Sequence, residues 1–90
     1  VALDQNYPNP FNPSTQIRYA LPAQRRVTLS VYNTLGQEVA RLVDEVQEAG
    51  YHVVQWNGTN QSGVLAGTGV YFCRIQTGDL VFTRKMLLVK

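Results

Sequence analysis

GVYFCRIQTGDLVFTRKMLLVK, the stretch from Gly69 to Lys90, reads as two long apolar-rich strands joined by a Gly78-Asp79 turn. In the first, Tyr71, Cys73 and Ile75 share one face and Phe72, Arg74 and Gln76 the other, the period of two that a half-buried strand requires. A Gly-Asp pair between two such runs is a hairpin signal. In the second, Met86 to Val89 is apolar on both faces, which fits a strand covered on both sides or a sheet edge open to another strand. A terminal hairpin of this kind decides for an all-β chain.

Upstream, the same alternation recurs. In Thr15 to Leu21, Ile17, Tyr19 and Leu21 fall on one face, with Gln16 and Arg18 on the other, and Pro22 closes the run. Val27 to Asn33 places Val27, Leu29 and Val31 inward and Thr28, Ser30 and Tyr32 outward, before a turn at Asn33-Thr34-Leu35-Gly36. Gln37 to Val46 is ambiguous, because Leu35, Val39, Leu42, Val43 and Val46 also match a helical stripe. Between turn signals at Gly36 and Glu48-Ala49-Gly50, an isolated helix of about ten residues is marginal, so a strand is expected. Tyr51 to Trp56 is a further strand with Val54 and Trp56 on the core side, followed by a loop of turn formers from Asn57 to Gly63 and a turn at Gly67-Thr68-Gly69. Six or seven short strands at this spacing predict an antiparallel β-sandwich with Trp56 as its core plug.

The opening, Asp4 to Ser14, alternates Pro8, Pro10 and Pro13 with Asn6, Asn9 and Asn12. Proline removes donors and asparagine favours turns, so residues 1–14 are expected to form an irregular lead-in, with Tyr7 and Phe11 as apolar anchors. Ninety residues with 44% hydrophobic content suffice for one core, so residues 1–90 are read as one domain. The sequence starts at Val1 rather than Met, as a piece of a longer protein would.

Composition argues against most chemistry. The eight Lys and Arg outnumber the six Asp and Glu by two, and they are scattered, which gives no basic stripe for nucleic acid. No apolar run approaches the ~20 residues that span a bilayer. Cys73 is the only cysteine, so neither an intrachain disulfide nor a thiolate zinc cluster is available, and it reads as a small buried hydrophobe. His52 is the only histidine and has no third group to orient it against a nucleophile. Asp44, Glu45 and Glu48 gather at an expected turn and read as a solvated corner rather than a catalytic pair. Asn57, Asn60, Gln61 and Ser62 offer oxygens to a cation, but without a carboxylate they read as turn formers. Tyr19, Tyr32, Tyr51, Trp56 and Tyr71 could stack on sugars, although in a small sandwich such residues more often pack. No enzyme, metal site, cofactor or small-molecule substrate is expected.

Several ordered motifs together carry a resemblance. Asn6-Tyr-Pro-Asn-Pro-Phe-Asn-Pro-Ser-Thr15, Ile17-Arg-Tyr-Ala-Leu-Pro22, Val31-Tyr-Asn-Thr-Leu-Gly-Gln-Glu-Val39, Gly50-Tyr-His, Trp56-Asn-Gly58, Gly69-Val-Tyr-Phe-Cys-Arg74 and Lys85-Met-Leu-Leu-Val-Lys90 resemble the C-terminal sorting domain, or Por secretion tail, of type IX secretion cargo. The resemblance implies a seven-stranded immunoglobulin-like sandwich at the end of a secreted bacterial protein. It further implies passage through the periplasm, recognition by an outer-membrane translocon with its shuttle protein, and removal by a sortase-like cysteine peptidase. The N-terminal cargo of the same polypeptide would then reach the cell surface or the medium. Gly69, Tyr71, Arg74, Lys85, Met86, Leu88 and Lys90 are the expected recognition residues. Cys73 departs from the aromatic or aliphatic residue expected in that motif. The alternatives are a structural module like the immunoglobulin-like part of flagellar hook-capping proteins, which shares the Trp-Asn-Gly to Gly-x-Tyr stretch, and an accessory carbohydrate-binding module.

Overall fold

Alternating apolar residues bury one face of a strand, and two such faces must meet. The computed structural model describes residues 1–90 and contains seven strands and no helix. They are β1 (Ala2–Leu3), β2 (Thr15–Leu21), β3 (Arg25–Tyr32), β4 (Glu38–Gln47), β5 (Gly50–Trp56), β6 (Gly69–Thr77) and β7 (Leu80–Leu88). β1, β2 and β5 form a three-stranded sheet in that order, and a four-stranded sheet runs β4-β3-β6-β7. Every neighbouring pair is antiparallel. The expected immunoglobulin-like β-sandwich is therefore the observed one.

The inward rows are those that alternation assigns. Ile17, Tyr19 and Leu21 of β2 are buried, as are Val27, Leu29 and Val31 of β3 and Tyr71, Cys73 and Ile75 of β6. Trp56 ends β5 inside this core, with Phe11 at 5.5 Å and Tyr71 edge-on at 5.4 Å between ring centroids. Its indole N–H donates to the Thr59 carbonyl at 2.9 Å, so the most polar atom of the plug is satisfied. Burial pushes the Cys73 thiol up to about 12, which makes it an inert packing group.

The helix-like spacing in β4 has a structural cause. Leu29 faces Val43 but Ser30 faces Arg41, and Val31 faces Ala40 but Tyr32 faces Glu38. Leu42 and Val39 are thus extra residues, one at each of two β-bulges. The bulge at Leu42 stretches the inward repeat from two residues to three, from Ala40 to Val43, and the bulge at Val39 does the same to the outward one, from Glu38 to Arg41, so Ala40 and Val43 are buried while Val39 and Leu42 pack partly against the core. Leu35 and Val46, which belonged to the apparent helical stripe, are exposed.

Three further expectations are corrected. Tyr7 is not an anchor: it is 80% exposed, and its main chain bridges to Gln16 instead. The lead-in is held by Leu3, Phe11 and buried Asn6, whose Nδ2 donates to the Pro8 carbonyl at 3.1 Å and to Thr15 Oγ1 at 3.0 Å. Ser30, expected outward and wet, is buried on a central strand between Arg41 of β4 and Arg74 of β6, whose long side chains flank it. Asp44 and Glu45 lie within β4 rather than at its turn. Asp44 bridges Arg26 at 2.6 Å and Arg41 at 3.3 Å, and Arg41 also holds Glu38 at 2.9 Å.

Candidate recognition surface

Six of the seven expected recognition residues lie on the β6–β7 hairpin, with Lys90 just beyond it. Period two then divides them. Tyr71, Met86 and Leu88 point into the core and are buried, while Arg74, Lys85 and Lys90 are exposed. Gly69 and Leu88 face each other across the ladder, as do Tyr71 and Met86. Tyr71 also donates its hydroxyl to the Gly67 carbonyl at 2.7 Å. Gly69 has φ +152°, a backbone that side chains rarely adopt, although a Cβ there would meet open space. Gly69, Tyr71, Met86 and Leu88 thus form the framework that presents the charged residues.

The presented set is basic. Lys85 lies opposite Phe72 on the outer face, and Arg74 lies opposite Thr83. The Arg74 guanidinium sits 4.4 Å from the centre of the Tyr32 ring and donates to its hydroxyl at 2.8 Å, which fixes its direction. Lys90 is tethered through its main-chain N–H to Thr68 Oγ1 at 3.1 Å.

Sequence reasoning missed what lies beside this strand. The lead-in runs along the edge of β7 and occupies its outward main-chain groups. The Phe11 N–H donates to the Leu87 carbonyl at 3.0 Å, and the Val89 N–H donates to the Phe11 carbonyl at 2.9 Å. Asn9 Oδ1 accepts from the Leu87 N–H at 3.0 Å, and Gln5 Nε2 donates to the Lys85 carbonyl at 2.7 Å. The edge from the Lys85 carbonyl to the Val89 N–H is therefore closed to a further strand. By the same alternation Val81 and Thr83 turn their main-chain groups outward with no strand beside them. The Pro/Asn-rich composition was the only signal: asparagine side chains can cap main-chain groups that proline cannot pair.

Elsewhere, three of the four loop side chains weighed for a cation have their oxygens committed. Asn60 Oδ1 accepts from the N–H groups of Ser62 and Val64, Gln61 Oε1 accepts from the Arg41 N–H, and Asn57 Oδ1 accepts from Gln55 Nε2. A cleft of about 530 Å³ opens between this loop and the Asn33–Glu38 turn, over Tyr71. Of the five aromatics considered for sugar stacking, Tyr19, Trp56 and Tyr71 are buried and Tyr32 lies under Arg74. Tyr51 remains exposed. Tyr19 also donates to Gln47 and stacks on His52 with 5.2 Å between ring centroids, so the lone histidine has a packing role.

Among the solved structures similar to the chain in fold are the following three. PorU of Porphyromonas gingivalis, in a dimeric latent form, matches with a TM-score of 0.69 at 22% identity, over 93% of this chain and 9% of that one. PorZ, an essential bacterial surface component of the type-IX secretion system of the same organism, matches with a TM-score of 0.66 at 19% identity, over 94% and 11%. FlgD of P. aeruginosa matches with a TM-score of 0.64 at 24% identity, over 84% and 64%. The chain thus spans about a tenth of the length of PorU and PorZ and less than two thirds of FlgD. No curated protein sequence matches it. A family model described as the FlgD Ig-like domain matches residues 12–79, from the end of the lead-in to the turn before β7. On that match, which covers well over half of its length, the chain belongs to the FlgD Ig-like domain family.

Proposed function

We infer that the domain is a protein–protein recognition module, and that it addresses a larger cargo polypeptide to the type IX secretion machinery. In this reading the cargo crosses the periplasm, is taken up by the outer-membrane translocon and its shuttle protein, and is freed from the domain by a sortase-like cysteine peptidase at the cell surface. The observation that carries the reading is the presentation of the terminal strand. Lys85 and Lys90 stand outward on a backbone held by β6 on one side and by the lead-in on the other. A partner reads such an edge through side chains, because its main chain is already paired. The ordered motifs from Asn6 to Lys90 support the choice of machinery, as does the likeness in fold to a type-IX surface component. Family membership alone equally favours a structural immunoglobulin-like module.

Truncation from Met86 to Lys90 is a poor test, since it removes two buried side chains and the acceptors of the lead-in. A cleaner test fuses residues 1–90 to a periplasmic passenger in a type IX-competent cell and compares Lys85→Glu/Lys90→Glu, whose changes lie on exposed positions. The unmodified fusion is expected outside the cell and the variant in the periplasm, with equal melting temperatures. Equal export of both would remove the recognition role from these residues, and retention of the unmodified fusion would favour the structural module.

A further inference from the structure

The four-stranded sheet leaves main chain open on both of its edges. The β4 edge is broken by two bulges, Gln61 takes both the Val39 carbonyl and the Arg41 N–H, and beyond them Val43 to Gln47 carries only acidic charge, at Asp44 and Glu45, which would oppose itself in a second copy. β7 is closed from the Lys85 carbonyl onward, while the Lys85 N–H is free. Between Leu80 and Arg84 the outward main-chain groups of Val81 and Thr83 remain, with Leu80, Val81 and Phe82 exposed around them. An open, apolar edge pairs with another strand unless charge or shape forbids it. β5, an edge of the other sheet, carries no charged residue with which to select a partner or a register. The β7 edge does: Asp79 and Lys85 bracket the open segment, and neither belongs to an ion pair within the chain.

We propose that this edge pairs with itself in a second copy of the chain, β7 antiparallel to β7, about a two-fold axis at Phe82. The geometry selects the register. In an antiparallel pair, residues that exchange both hydrogen bonds must point N–H and C=O at the neighbour, and within β7 only Val81 and Thr83 have both free. The axis therefore falls at Val81, Phe82 or Thr83. An axis at Phe82 lets Val81 of each copy exchange both hydrogen bonds with Thr83 of the other. It sets the two Phe82 rings in the closer, non-hydrogen-bonded position, where aromatic pairs gain most. It also brings Asp79 of each copy alongside Lys85 of the other, and Arg84 alongside Leu80, so that no like charges meet. An axis at Val81 sets Asp79 against Thr83, and one at Thr83 sets it against Leu87, leaving the charges unmatched in both. The isologous contact closes after two copies and joins two four-stranded sheets into one. It is independent of the secretion reading.

The paired segment is short, so the association is weak, with a dissociation constant on the order of 100 µM. Sedimentation equilibrium of the ninety-residue chain up to about 2 mM measures it. Asp79→Lys and Lys85→Asp, each alone, oppose like charges at two symmetric positions and weaken dimerisation about tenfold. An equimolar mixture of the two variants regains the original affinity, because each then meets its opposite charge. Thr83→Pro removes an outward donor without touching the β6–β7 ladder, and it abolishes the dimer while melting as the parent does. A chain that stays monomeric at 2 mM overturns the proposal, as does a dimer indifferent to Thr83→Pro. A mixture of charge variants no tighter than either alone overturns the register and the proposal with it.

Discussion

Phe11 and Leu87 are joined main chain to main chain across the rim of the sandwich, the Phe11 N–H donating to the Leu87 carbonyl at 3.0 Å. The Phe11 side chain meanwhile packs on Trp56 in the core. One residue thus anchors the lead-in and closes the edge of the terminal strand.

Phe11→Ala should therefore do two separable things. Loss of the buried ring costs about 3–5 kcal/mol of stability, read from the urea midpoint. In the fraction that remains folded, the Leu87 and Val89 amides should exchange with deuterium faster than those of the neighbouring even-numbered residues, which pair with β6. Unchanged protection at these two amides would show that Asn9 and Gln5 suffice to hold the strap.

Gly58 and Gly63 provide a matched pair of substitutions in one loop. Both have positive φ, +74° and +83°. A Cβ on Gly58 would stand 2.7 Å from the Pro13 carbonyl oxygen, whereas one on Gly63 would meet nothing. Gly63→Ala should cost only the backbone strain, about 1–2 kcal/mol. Gly58→Ala should exceed it by at least about 1 kcal/mol, since the lead-in must shift as well. Thermal melts of the two variants side by side decide the point.

Tyr71→Phe keeps the ring on Trp56 and removes the hydroxyl bound to Gly67. The exposed Gly67 can be solvated, so the loss should be about 0.5–1.5 kcal/mol, against about 3–5 kcal/mol for Tyr71→Ala. If Tyr71 acts only through the fold, export of a fused passenger will track these two melting temperatures. Loss of export in a Tyr71→Phe protein of near-parental stability would instead place the hydroxyl in recognition.

Acid should selectively weaken the outer face. The hydrogen bond from Arg41 holds the Glu38 carboxyl below its ordinary value, and the hydrogen bond from Arg26 does the same for Asp44. A depressed carboxylate stabilises the fold fully above its unfolded pKa and ceases to do so as pH falls through the lower folded value. The difference in urea midpoint between the parent and Arg41→Gln should accordingly be largest at neutral pH and vanish by about pH 2. It should also shrink in high salt, because these groups are exposed. A difference independent of pH would assign the effect of Arg41 to its packing over Ser30.

The regular parts of the fold were legible because alternation is a direct readout of burial. β2, β3, β5 and β6 place their apolar rows where the pattern puts them. β4 was ambiguous for a definite reason: bulges at Val39 and Leu42 replace a spacing of two with a spacing of three, which is also the spacing of a helix. The lead-in was misread at Tyr7 because no periodicity tells which aromatic of an irregular segment turns inward. Asn6 and Asn9 hold it through side-chain bonds to residues distant in sequence, and such bonds leave no local pattern. At the candidate surface Met86 to Val89 is apolar on both faces, so the pattern could neither separate buried Met86 and Leu88 from exposed Lys85 nor show that the strand's other edge was already taken.

The strap ties together positions that lie far apart along the chain. Gln5 meets Lys85 across 80 residues, and Asn9 meets Leu87 across 78. Loop closure over such spans comes late, so β7 must be made before Phe11 finds its seat. Until then Phe11 cannot cover Trp56, and the largest side chain of the core waits on the last strand to be closed in.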